Sequence, residues 1–136
     1  MKELQQIPAF NPKHEQFDPE NVLDLLEEKG EEPQKAMTDF ADWVKEHTKG
    51  HKAVEAAAPI KFDGMFTGWY FDNFYSGENP LGYSGFDIQS FYRGKANDMD
   101  ADFSKLLTGL PHNALEDAIM QAKAFEKILE GCKGEF

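Results

Sequence analysis

Cysteine is almost absent from this sequence. A lone Cys132 cannot form an internal disulfide. That predicts a reducing, cytoplasmic setting. Basic residues are also scarce. Lys and Arg total 14 against 25 Asp and Glu, a formal net charge of −11. Phosphates are met by Lys and Arg, so the deficit argues against direct contact with nucleic acid. It disfavours an anionic membrane surface for the same reason. No apolar run approaches ~18 residues, so no segment is predicted to span a membrane. The start, MKELQQIPAF, lacks the apolar stretch of a secretory signal. None of the patterns G-x-S-x-G, H-E-x-x-H, G-x-x-x-x-G-K or G-x-G-x-x-G occurs.

What is present is acid, unevenly spread. Residues 15–46 hold eleven acids against three lysines, residues 47–97 hold five of each sign, and residues 98–136 hold eight acids against four lysines. A chain of 136 residues fits one domain with one core. Pro8, Pro12 and the Asn11-Pro12 turn read as an extended arm over 1–17, ahead of a globular domain over 18–136.

Helix punctuation is clear at both ends. Asp18-Pro19-Glu20 opens a helix that Gly30 closes, with Val22, Leu23, Leu25 and Leu26 as its buried side. A second helix runs from Pro33 to Gly50. Ala36, Met37, Phe40, Trp43, Val44 and His47 form its stripe. The short connection predicts a helical hairpin. Asn113 and Glu116 begin a C-terminal helix with Leu115, Ile119, Ala122, Phe125, Ile128 and Leu129 along one side. A shorter helix is expected from Asp100 to Leu107.

The middle differs in kind. Eleven of the 18 aromatic residues fall between Phe62 and Tyr92. Asp63-Gly64 between apolar runs is a hairpin signal. It predicts strands at about 56–62, 65–75 and 86–93. The expected fold is therefore α+β: a three-stranded antiparallel meander with the helical hairpin and C-terminal helix on one face. Alternation puts Phe62, Trp69 and Phe71 toward the core, with Phe40, Val44, Ile119, Phe125 and Ile128. The opposite face and the loop SGENPLGYSG leave Phe66, Tyr70, Phe74, Glu78, Tyr83, Phe91 and Arg93 as the expected protein-recognition surface.

Metal and catalytic sets are weak. His47 and His51 are four apart, but Gly50 interrupts the helix between them. NDMDADF spaces its aspartates like the start of a calcium loop, yet Phe103 and Gly109 stand where Gly and Glu are needed. These aspartates read as helix caps instead. His112 and Cys132 lack a supporting pattern, and Asp72, Glu78 and Asp87 are acids of a kind any acidic protein offers. No catalytic residue, metal or cofactor is assigned, and catalysis stays open. The leading expectation is a small acidic non-enzymatic protein-binding module. Its partner would be a basic or nucleic-acid-handling protein, with inhibitors, immunity proteins and antagonists as the analogous classes. The alternatives are a ligand-binding module or small enzyme built on the aromatic face and glycine-rich loop, and a homo-oligomer subunit, such as a homodimer.

Overall fold

The computed structural model describes residues 18–107 and 113–131. The predicted arm over 1–17 lies outside them. The chain divides into two compact units, Met1–Glu32 and Pro33–Phe136.

The first unit holds α1, Pro19–Lys29. Asp18 caps it, its carboxylate accepting the Asn21 N–H at 3.2 Å. Gly30 ends it by donating to the Leu26 carbonyl at 2.8 Å. These are the signals the sequence carries. The predicted buried side is not buried, however: no α1 residue is.

The second unit starts with α2, Pro33–Thr48. Its buried residues are Met37, Ala41 and Val44, spaced i, i+4, i+7. The stripe is rotated from the expected one, leaving Phe40 and Trp43 exposed. Ala41 is fully enclosed, and its small side chain allows α3 to pack closely. The following elements are β1 (Glu55–Ala57), α3 (Ile60–Phe74), β2 (Gly85–Asp87), α4 (Ile88–Ala96), a 3₁₀ turn (Phe103–Leu106) and α5 (Ala114–Glu130).

The antiparallel meander is overturned. β1 and β2 are parallel, with Ala56 opposite Phe86, and α3 is the crossover between them. A parallel pair requires such a crossover. Residues 65–75, expected as a strand, are helical as far as Phe74, and 88–93 are helical too. The Asp63-Gly64 hairpin signal falls inside the first turns of α3.

The physical reason is that a densely aromatic run satisfies two periods at once. Read with period 3.6, Ile60, Gly64, Thr67 and Phe71 fall on one side of a helix. Phe62, Phe66, Trp69 and Tyr70 fall on another. Phe71 is buried and packs with Met37, Ala41, Val44 and Leu81. Gly64 faces Glu55 and Ile60, where a Cβ would make only ordinary contacts, the nearest at 3.6 Å from Glu55 Oε2. Gly85 is more constrained, because a Cβ would come 2.5 Å from Ile60 Cγ1. Pro59 was the available warning. Proline is poor inside a strand and serves well just before a helix.

A second apolar cluster joins Ile88, Phe103 and Ala124, with Phe86, Phe125 and Ile128 packed against it. The expected single core list is therefore wrong as a group. Phe71 and Val44 belong to one cluster, Phe125 and Ile128 border the other, and Phe40, Phe62, Trp69 and Ile119 are exposed. Among the described residues, no helix is long and apolar enough to cross a membrane.

Candidate functional site

The β1–α3–β2 unit places two aspartates at helix starts or one turn inside them, and α5 places a third in its first turn. Asp87, the last residue of β2, is wholly engaged. Its Oδ1 accepts the Ser90 N–H at 2.6 Å and so caps α4. Its Oδ2 accepts the Ile60 N–H at 3.0 Å, at the start of α3. One carboxylate thus satisfies the free amides of two helices. Burial pushes its pKa up, but the Ser90 and Ile60 hydrogen bonds and the Arg93 charge outweigh that, and the net shift is downward.

Asp63 stands in the first turn of α3. The residue as a whole is exposed, yet its carboxyl is crowded enough that burial raises its pKa. A hydrogen bond from its own backbone opposes the rise without cancelling it. Asp117 lies in the first turn of α5, behind the Asn113 cap. Its Oδ1 is buried and finds no hydrogen-bond partner among the described residues.

α5 is tied to the β1–α3 junction. Gln121 Oε1 accepts the Ala58 N–H at 3.0 Å. Asp117 precedes Gln121 by one helical turn, ~6 Å along the axis, on the same side of α5. Asp63 follows Ala58 by five residues, just inside α3. Asp63 and Asp117 therefore belong to the two elements that this hydrogen bond joins.

A buried carboxylate oxygen without a donor is costly, and it suits a bound cation. Carboxylate oxygens are hard ligands of the kind Mg²⁺ accepts, typically one or two carboxylates completed by water and substrate phosphate. No group of three or more His, Cys, Asp and Glu that could hold a metal ion occurs among the described residues. Sequence reasoning missed both residues. Asp63 was absorbed into a turn. Asp117 looked like ordinary first-turn acid on a capped helix.

The residues expected to form a recognition surface are dispersed. Phe66, Tyr70 and Phe74 do lie along one side of α3, and Tyr70 and Phe74 meet with ring centroids 5.5 Å apart. Phe74 also packs against the first core cluster. Tyr83 is 98% exposed, near Lys52. Glu78 lines a hollow with Lys45 and Tyr75. Phe91 is held between Phe86 and Phe125, and Arg93 Nε donates to the Ala101 carbonyl at 3.2 Å. Helical geometry explains the scatter, because α3 and α4 replace the strands that would have shared one face.

The other candidates take structural roles. His47 Nδ1 bonds the Trp43 carbonyl at 2.8 Å. In NDMDADF, Asp98 accepts the Asp100 N–H and Asp102 caps the 3₁₀ turn through Ser104. Asp72 is exposed on α3. His112 and Cys132 lie outside the described residues.

Over 115 residues, the chain is 31% identical to the 3'-5' DNA exonuclease Cap18 of Escherichia coli. The likeness covers 78% of this chain and 61% of that relative, so the chain spans under two thirds of the relative's length. No protein-family description and no solved structure matches the chain. The likeness overturns the expected non-enzymatic binding module, with its inhibitor and antagonist analogies, and the exclusion of nucleic acid. Net charge describes a whole surface, so a deficit of Lys and Arg does not by itself exclude nucleic acid.

Proposed function

We propose that this chain is a nuclease-type protein acting at the 3' end of DNA, with Asp63 and Asp117 as ligands for a divalent cation. The buried Asp117 Oδ1, without a hydrogen-bond partner among the described residues, carries the reading. The likeness to a 3'-5' DNA exonuclease supplies the substrate class. When bound, such a cation polarises phosphate oxygens and activates water for phosphodiester hydrolysis.

The chain's own residues do the rest. Gln121 fixes the turn of α5 that carries Asp117. Asp87 fixes the start of α3, and with it the turn that carries Asp63. Neither carboxylate sits on a free loop, which suits a site that must hold its geometry. Asp63 must be ionised to act as a ligand, and its raised pKa places that demand against burial.

Mn²⁺ titration followed by electron paramagnetic resonance tests the assignment. The free Mn²⁺ signal should fall on adding protein, and fall further with single-stranded DNA present. Asp117→Asn and Asp63→Asn should each weaken this uptake. Equal uptake by wild type and both variants would remove these residues from the site.

A further inference from the structure

The end of α2 and the residues after it read KEHTKGHK, Lys45 to Lys52. That is three lysines and two histidines against one acid, in a chain of net charge −11. Lysine in the last turn of a helix ordinarily offsets the helix dipole, which accounts for Lys45. Lys52 lies beyond the helix end at Thr48. Lys49 and Gly50 both take left-handed conformations, with φ of 50° and 86°, and so reverse the chain. The His51 N–H closes this turn on the Thr48 carbonyl at 2.9 Å. The reversal puts Lys52 and His51 on the same hollow as Lys45, a space of about 530 Å³. The segment from Tyr75 to Gly82 supplies the rest of its lining.

Hydrogen-bond donors dominate this lining. Lys45 Nζ donates to the Tyr75 hydroxyl at 2.7 Å, which leaves the hydroxyl's own proton to be given elsewhere. Asn79 Oδ1 accepts the Leu81 N–H at 3.0 Å, which leaves its NH₂ group as the free end. Lys52 Nζ stands 5.5 Å from the centre of the Tyr83 ring, and a Cβ on Gly82 would lie 3.8 Å from its Cε. Val44 and Tyr75 belong to or pack on the first core cluster, so the hollow has a fixed floor. Two carboxylates oppose the lysines: Glu78 on the lining, and Asp42 at 3.8 Å from Lys45. Both are exposed, where an ion pair is worth little.

We propose that this hollow binds a phosphate group, carried by a free nucleotide or by the backbone of a strand. Single donors set on separate elements suit the tetrahedral oxygens of phosphate, and lysine serves there as a point charge. A planar carboxylate is better met by an arginine fork, and no arginine lines the hollow among the described residues. The site stands independently of the nuclease reading and of Asp63 and Asp117.

The test is a titration of the full chain in EDTA at constant ionic strength, followed by backbone amide NMR shifts. Inorganic phosphate should move the amides of His51, Lys52, Gly77 and Gly82 along saturating curves. Lys52→Gln should weaken binding by ~10-fold, the scale of one charge-assisted hydrogen bond. Glu78→Gln should tighten it by about 2-fold, since an exposed opposing charge is removed. That second variant changes only an exposed side chain, so it decides the matter should Lys52→Gln fail to fold. Thymidine 5'-monophosphate and an oligothymidine without terminal phosphates separate the two sources. Saturation by the mononucleotide alone assigns the site to a free nucleotide, and tighter binding of the oligonucleotide assigns it to a strand backbone; either supports the site. No saturation by any of these probes overturns it, as does an equal response to acetate. Wild-type affinity in a folded Lys52→Gln, or no gain in Glu78→Gln, overturns it too. Loss of Mn²⁺ uptake in Asp117→Asn with phosphate binding intact, or the reverse, shows which of the two sites has failed.

Discussion

The two junctions of the βαβ unit treat carboxylates in opposite ways. At the β2–α4 junction, both oxygens of Asp87 are used, one by each of two helix starts. At the β1–α3 junction and the α5 turn tied to it, Asp117 has a buried oxygen without a hydrogen-bond partner among the described residues, and Asp63 is held with a raised pKa. The first arrangement lowers the free energy of the fold. The second raises it, since an unsatisfied buried acceptor costs ~1–3 kcal/mol. The contrast separates a carboxylate that builds structure from the two carboxylates proposed as cation ligands.

The largest expected effect is on the available side. Asp117→Asn should reduce Mg²⁺-dependent DNA hydrolysis by ~100-fold or more, the scale seen when one transition-state partner is lost. Its thermal midpoint should hold, since the Asp117 Oδ1 has no hydrogen-bond partner among the described residues to lose. A large fall in the midpoint would make Asp117 structural and erase the contrast.

Next in size is the structural side. Asp87→Ala removes two caps at ~0.5–2 kcal/mol each, so the total cost should be about 1–4 kcal/mol by denaturant titration. Asp87→Asn should recover part of this, since an amide oxygen still accepts one bond. An unchanged midpoint in the alanine variant would mean that α3 and α4 start without it.

Acid should act on the junctions in opposite directions. The pKa of Asp87 is lowered, so its stabilising contribution is complete above the ordinary aspartate range and fades as pH falls through the lowered value. The pKa of Asp63 is raised, so the fold favours its protonated form; that contribution is present below the ordinary range and lost as pH rises through the raised value. Stability curves against pH for Asp87→Asn and Asp63→Asn should therefore diverge from wild type with opposite signs. The smallest effect is the Asp63→Asn midpoint near neutral pH, which should rise slightly. A fall would show that its charge is stabilised rather than opposed.

How much of this was legible depends on which signal each residue carries. Caps were readable, because Asp18, Asp102 and Asn113 each announce a helix start through local chemistry. The parallel pair was not, because three-residue strands carry no period of their own. Asp63-Gly64 illustrates the failure: the same dipeptide fits a two-residue turn and an early helical turn, and Pro59 decided between them. Asp87 was placed inside a strand over 86–93, so its cap on Ser90 went unread, and nothing in sequence connects it to Ile60, 27 residues away. The site was the least legible part. An unpartnered oxygen on Asp117 is a property of its packed surroundings, and no spacing reports it.

The most direct test uses a 5'-labelled single strand incubated with the full chain and Mg²⁺, resolved on a sequencing gel. A second strand is blocked at its 3' end, and Asp117→Asn is run alongside. Wild type should shorten the free strand stepwise from its 3' end and leave the blocked strand intact, while Asp117→Asn leaves both at full length. No shortening by wild type, or the same ladder from Asp117→Asn, would contradict the account.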